Sequence, residues 1–174
     1  MRIIPSLFLV ALLSVSGRLA AQDQIIYVTG EGSRGRDLIL SSSDGNDKTR
    51  ISQWDGPGHY PHFNWPSWSP AADRLAFMAD VDGHDRYSIW TSTRNGEASV
   101  RVTPKSTEAL YPAWSPDGSQ IAFTARSQGT WEIFVMDADG GRLTRISKHR
   151  EGGFKPQWGG FPAWSPDGLE IYHH

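Results

Sequence analysis

The chain contains no cysteine. That excludes a disulfide framework, a thiolate nucleophile and a cysteine-ligated zinc. It has no surplus of charge of one sign, because 17 Lys and Arg stand against 19 Asp and Glu for a net charge of −2. Without a basic excess there is nothing to neutralise a phosphate backbone, so nucleic acid is not an expected partner. Long apolar runs are also missing beyond the first twenty residues, which leaves no segment able to cross a bilayer as a helix. From Gln22 onward no window places apolar residues at i, i+3, i+4 and i+7 over a helical length. What the chain does have is punctuation and aromatics: 18 Gly, 11 Pro and 8 Trp in 174 residues. This is the composition of short strands joined by turns.

The N-terminus reads as a targeting segment. Arg2 supplies a positive start, Leu7 to Val15 is nearly continuous apolar sequence, and Leu19-Ala20-Ala21 places small residues at a cleavage position. An apolar core this short suits a secretory signal peptide and not a membrane span. The expected organisation is therefore a signal peptide at 1–21 and an exported body at 22–174, periplasmic or secreted.

An internal repeat organises that body. Trp65-Pro-Ser-Trp68-Ser-Pro70, Tyr111-Pro-Ala-Trp114-Ser-Pro-Asp-Gly118 and Phe161-Pro-Ala-Trp164-Ser-Pro-Asp-Gly168 align without gaps, and the second Trp positions are separated by 46 and 50 residues. A period in this range marks one supersecondary unit per repeat. Each segment leads into a short alternating run: Leu75-Ala-Phe77, Ile121-Ala-Phe123 and Leu169-Glu-Ile-Tyr172. Further runs follow at Tyr87–Trp90 and Glu132–Met136, then an Asp-x-Asp-Gly turn at 137–140 and Leu143–Ser147. Residues 25–52 repeat the rear of this unit, through Ile26-Tyr-Val28, Asp37–Leu40, Asp44-Gly45 and Thr49-Arg-Ile-Ser52. In Ser115-Pro-Asp-Gly118, Pro116 sets φ at the second turn position, Asp117 bonds the local backbone and Gly118 accepts the closing geometry. Pro166, Asp167 and Gly168 do the same in the third copy. The expectation is an all-β chain of four-stranded antiparallel units in partial copies, whose strands are here termed A to D, at 25–52, 60–103, 111–147 and 161–172. Strand A looks the shortest of the four.

These segments resemble the WD40-like, or PD40, repeats of TolB-type β-propellers. The resemblance rests on the aromatic-Pro-x-Trp-Ser-Pro-Asp-Gly segments, the following Ile-Ala-Phe and the Asp-x-Asp-Gly turn, and covers nearly all of 25–172. It implies propeller blades and a periplasmic role near cell-envelope complexes, with a protein as partner and a small glycan as the second ligand class. The same repeats serve in the non-catalytic propellers of prolyl-oligopeptidase-type serine peptidases and in oligogalacturonate lyases, so an enzyme-borne propeller is the competing expectation. The strands supply three to three and a half blades, and an open propeller needs either self-assembly or a missing segment to close. A head-to-tail pair in which the last strand A completes another copy's first blade is one such closure.

Candidate binding residues concentrate in the two longer loops that lead into strand A, Gln53–Asn64 and Lys148–Gly160; the third, Pro104–Leu110, is short. They are Trp54, His59, Tyr60, His62, His149, Arg150, Lys155 and Trp158, groups that stack on rings and bind anions. His59 and His62 flank Pro61, which excludes a helix and leaves two imidazoles without a defined third ligand, so no metal is expected. Asp80-Val-Asp-Gly83 and Asp137-Ala-Asp-Gly140 lack the full calcium-loop pattern and read as hairpin turns. No Gly-x-Ser-x-Gly elbow or phosphate-binding glycine motif is present, so no catalytic residue and no cofactor are assigned. Trp68, Trp114 and Trp164 are expected to be structural, filling the wedge between blades.

Overall fold

The computed structural model describes residues 24–30, 36–52, 61–71, 73–81, 83, 86–147 and 160–173. These residues form thirteen β-strands and no helix. The first sheet comprises β1 (Gln24–Thr29), β2 (Asp37–Ser42) and β3 (Lys48–Arg50). The second comprises β4 (Phe63–Trp68), β5 (Arg74–Ala79), β6 (Ser88–Thr93) and β7 (Val100–Arg101). The third comprises β8 (Ala109–Trp114), β9 (Gln120–Ser127), β10 (Thr130–Asp137) and β11 (Thr144–Arg145), and a last hairpin pairs β12 (Ala163–Trp164) with β13 (Ile171–Tyr172). Every sheet is an antiparallel meander in chain order. Among the described residues the chain is thus an open run of propeller blades: strands B to D, two complete blades, and strands A and B.

The core lies between sheets, and strand alternation explains it. Along β5, Leu75, Phe77 and Ala79 join a buried cluster with Ile26, Leu38, Leu40, Ile51 and Phe63 of the first sheet and its neighbours. The intervening Ala76 and Met78 join a second cluster with Trp114, Ile121, Phe123 and Ala125 of the third sheet. Successive strand residues point to opposite faces, so a strand covered on both sides reads as a continuous apolar run. Strand β9 repeats the pattern, with Ile121, Phe123 and Ala125 facing the second sheet and the Thr124 hydroxyl donating to the Gly160 carbonyl ahead of the last hairpin.

Inner strands are anchored to the preceding sheet. The Phe63 amide donates to the Arg36 carbonyl at 3.1 Å, and the Ala109 amide donates to the Tyr87 carbonyl at 2.9 Å, in the same repeat position. Both inner strands therefore begin earlier than the sequence suggests. β4 and β8 are each six residues long, and the shortest strands of the two complete blades are β7 and β11 at the outer edge. Sequence reading missed the extra residues because a bulge separates Asn64 from Ser67, and Leu110 from Ala113, which breaks the alternation.

Outer strands close with a hydroxyl clasp. Ser52, Thr103 and Ser147 follow β3, β7 and β11, and their hydroxyls accept from the amides of Leu38, Ile89 and Ile133 at 3.1, 3.0 and 2.7 Å. The turns between the third and fourth strands then set the spacing to the previous sheet. A Cβ on Gly96 would stand 2.1 Å from the Ile51 carbonyl oxygen, and one on Gly140 would stand 2.6 Å from that of Val102. Both glycines also have left-handed φ, at +83° and +92°. Gly129, in the turn between the second and third strands β9 and β10, has φ +84° and nothing among the described residues within 4 Å of its Cβ position. Gly129→Ala should therefore cost only the left-handed strain of about 1–2 kcal/mol, whereas Gly96→Ala adds an overpacking cost of about 1–3 kcal/mol. Urea unfolding of the two variants checks this, and Gly96→Ala is expected to have the lower midpoint.

The first-to-second strand turns carry a charge-assisted network. The Ser115 hydroxyl donates to Asp117 Oδ1 at 2.6 Å, and the Ser119 amide donates to the same oxygen at 3.0 Å. The Ser165 hydroxyl and Leu169 amide repeat this on Asp167 at 2.5 and 3.1 Å. Hydrogen bonds from Ser115, then from the Ser119 amide and hydroxyl, pull the Asp117 carboxyl down to about 2 from its usual 3.8. Asp167 is lowered by the Ser165 hydroxyl and the Leu169 amide. A carboxyl depressed by folding adds stability above its unfolded pKa, and that contribution disappears as pH falls toward the folded value. The melting temperature should thus fall between about pH 4 and pH 2, and Asp117→Asn should flatten the fall, as followed by circular dichroism.

Candidate functional site

The first aromatic of each repeated segment reaches the same place. Trp65 and Tyr111 sit in the bulges of β4 and β8, where the ladder register shifts, and both take left-handed backbone conformations with φ of 47° and 55°. Pro66 and Pro112 follow them, and a residue before proline is disfavoured in the right-handed helical region. Holding a bulky aromatic at positive φ costs on the order of 1–2 kcal/mol. The strain turns both rings onto the inner sheet edges, where Phe161 of the third copy joins them. Ring centroids lie 5.0 Å apart for Trp65 and Tyr111, 5.2 Å for Trp65 and Phe161, and 4.2 Å for Tyr111 and Phe161. Trp65 is 41% exposed and Phe161 36%. Burial pushes the Tyr111 phenol above its usual range, so it stays neutral through physiological pH. A three-ring apolar surface facing solvent is the result.

A polar set forms around Asn64, the residue before Trp65 in β4. Arg36 Nη1 donates to Asn64 Oδ1 at 3.0 Å, and Asn64 Nδ2 lies 3.5 Å from the Tyr87 hydroxyl. His62 is half-buried beside this set, bridged in parallel to Arg36, and its carbonyl accepts from the Asp80 amide at 3.3 Å. Among the sequence-predicted binding residues, Trp54, His59, Tyr60, His149, Arg150, Lys155 and Trp158 lie outside the described residues. Among the described residues no group of three or more His, Asp or Glu is placed to hold a metal ion. Asp80 is buried and its carboxylate accepts from the Gly83 amide at 2.9 Å, as in a turn.

The second aromatic of each segment lies elsewhere. Trp114 is buried in the cluster between the second and third sheets, with the Arg74 guanidinium 5.7 Å from its ring centroid. Trp68 packs against the cluster between the first and second sheets, with Arg94 5.3 Å from its ring. Trp164 Nε1 donates to the Ala113 carbonyl of the third sheet at 3.1 Å. Each Trp reaches back to the preceding sheet. The motif thus divides its aromatics, one toward the inner edge and one into the wedge, and sequence reading assigned no separate role to Trp65, Tyr111 and Phe161. Their signal was present as an invariably aromatic position immediately before proline.

The description of the PD40 family, the TolB beta propeller domain, matches residues 57–173. The Tol-Pal system protein TolB of Anaeromyxobacter dehalogenans is 30% identical over 93 residues, covering 53% of this chain and 21% of that protein. The uncharacterized peptidase YuxL of Bacillus subtilis is 28% identical over 98 residues, covering 53% of this chain and 15% of that protein. Crystalline TolB from Acinetobacter baumannii superposes with a TM-score of 0.65 at 22% identity, over 86% of this chain and 35% of that one. The chain therefore spans well under half the length of each.

The two aromatic positions should separate by stability. Truncating a buried Trp to Ala costs about 3–5 kcal/mol, close to the whole stability of a small domain. Trp114→Ala should unfold or aggregate the protein, while Trp65→Ala, at an exposed and strained position, should shift the melting temperature by only a few degrees. Differential scanning fluorimetry of the two variants checks it.

Proposed function

The chain belongs to the PD40 family of TolB beta propeller domains, and on that premise we propose that it is a non-enzymatic, exported binding module that engages a protein partner at the cell envelope. The observation that carries this reading is the solvent-facing ring cluster of Trp65, Tyr111 and Phe161 at the inner strands. Exposed aromatics on rigid elements are the groups that dominate protein interfaces, because they bury much area with little loss of side-chain freedom. The backbone strain retained at Trp65 and Tyr111 fits a surface shaped for contact. The loop residues Trp54, His59, Tyr60, His62, His149, Arg150, Lys155 and Trp158 would extend it. Export is supported by the Arg2, Leu7–Val15 and Leu19–Ala21 pattern and by the family's inclusion of a Tol-Pal system protein.

A second reading, a propeller portion of a peptidase, is favoured by the match to YuxL. It would place catalysis in a separate domain and leave this unit a gating role. The binding reading has a direct test. In an affinity purification from the host's envelope fraction, a protein that the wild type retains should be lost at least tenfold by Trp65→Ala, a hot-spot truncation worth about 2 kcal/mol, and kept by Leu169→Ala. N-terminal sequencing of the exported protein should begin at Gln22. Hydrolysis of peptide substrates by the purified chain, or retention unchanged by Trp65→Ala, would contradict the proposal.

A further inference from the structure

Three equivalent turns join the third and fourth strands of their sheets, and they differ in the residue before the turn glycine. In each the glycine amide donates to a carbonyl three residues back, Gly45 to Ser42 at 2.9 Å, Gly96 to Thr93 at 3.0 Å and Gly140 to Asp137 at 2.8 Å. The preceding residue is Asp44 in the first sheet and Asp139 in the third, but Asn95 in the second. All three accept locally through one side-chain oxygen. Asp44 Oδ1 accepts from the Ser42 hydroxyl and from the Asn46 amide, the latter at 3.1 Å. Asp139 Oδ1 accepts from the Gly141 amide at 2.9 Å, and Asn95 Oδ1 from the Thr93 hydroxyl at 2.6 Å. Hydrogen bonds, first from Ser42 and then from Asn46, hold the Asp44 carboxyl below its usual range, so this turn suits an ionised carboxylate. Of the chain's three asparagines, Asn46, Asn64 and Asn95, only Asn95 precedes a glycine. Asn95 is also exposed.

We propose that Asn95 converts spontaneously to aspartate in the folded protein, and that the contact under Gly96 selects the normal product over the isoaspartyl one. The Gly96 nitrogen gives up its proton and bonds to Asn95 Cγ; the Cγ–Nδ2 bond breaks, ammonia leaves, and a succinimide closes. Glycine favours this step because it has no Cβ to obstruct the approach. Water then opens the ring. Breaking the Cγ–N bond restores the ordinary main chain with a carboxylate at position 95. Breaking the bond to the main-chain carbonyl carbon instead routes the chain through Cβ and Cγ and lengthens it by a carbon. In the closed turn the Gly96 N–H is held by the Thr93 carbonyl, so the reaction proceeds through local openings. The turn must then seat again, and the longer chain has no room. Gly96 is buried, and a Cβ on it would stand 2.1 Å from the Ile51 carbonyl oxygen. Both products reclose to the succinimide, so the population drains into the one that fits. That product has the carboxylate already present at Asp44 and Asp139, and it adds a negative charge to a chain of net charge −2.

Prolonged incubation at mildly alkaline pH followed by peptide mass spectrometry tests this, with a synthetic peptide of residues 90–101 as the reference. In the folded protein Asn95 should exchange NH for O, more slowly than in the peptide. The ratio of aspartyl to isoaspartyl product, read by isoaspartyl methyltransferase labelling, should exceed the peptide's by about tenfold or more, the scale of an overpacked contact. Asn95→Gln, whose longer side chain closes an imide far more slowly, should show no conversion over the same period. Asn95→Asp, the product made directly, should fold and melt no lower than the wild type at neutral pH. An Asn95 that stays intact through the incubation of the folded protein, a product ratio equal to the peptide's, or an Asn95→Asp variant that melts several degrees lower would each overturn the proposal.

Discussion

The approach of a main-chain carbonyl to a glycine without a side chain sets the distance between neighbouring sheets, and the rest of the structure is arranged around it. At Ile51 with Gly96, and at Val102 with Gly140, the contact sits at the outer edge of the sheet pair. At the inner edge the corresponding tie is the amide of Phe63 or Ala109 on the preceding sheet. Between these two fixed lines lies a wedge whose filling is side chains. Trp68 and Trp114 occupy it near the ends of the inner strands, with Arg94 and Arg74 against their rings. Such a wedge tolerates little change in volume, because interiors are close-packed and relax only in part.

The same geometry separates the covered strands from the exposed rings. Strands β5 and β9 are covered on both faces and carry the core, while β4 and β8 carry a bulge that releases one ring from the ladder. Because the bulge recurs at an equivalent place in β4 and β8, Trp65 and Tyr111 converge although they are about fifty residues apart in sequence, and Phe161, two residues ahead of β12, joins them. Two of the patch's three rings, Trp65 and Tyr111, stand on strands tied to the preceding sheet. That is the physical basis for reading it as a binding surface.

The sheets were legible because their signals are local. Ser-Pro-Asp-Gly and Asp-x-Asp-Gly turns, and alternation such as Ile121-Ala-Phe123, need only a few neighbouring residues to be recognised, and they recur in the order the sheets follow. The aromatic cluster was not legible for the opposite reason. Whether Trp65 or Trp68 turns inward depends on a bulge and a positive φ, which binary patterning does not encode. The start of β4 at Phe63 escaped for the same cause. The loop residues singled out by composition were recognised as ring-stacking and anion-binding types, but only His62 falls among the described residues, where it serves as a bridge to Arg36.

The central claim is that packing between sheets, and not pairing within them, holds this fold together. Native-state hydrogen exchange tests it most directly, because it reports the free energy of opening residue by residue. The account predicts that amides of β5 and β9, buried on both faces, exchange only through global unfolding, and that β1 and β12, each covered on one face, exchange through smaller openings. Equal protection across all the sheets, or greater protection in β1 than in β9, would contradict it.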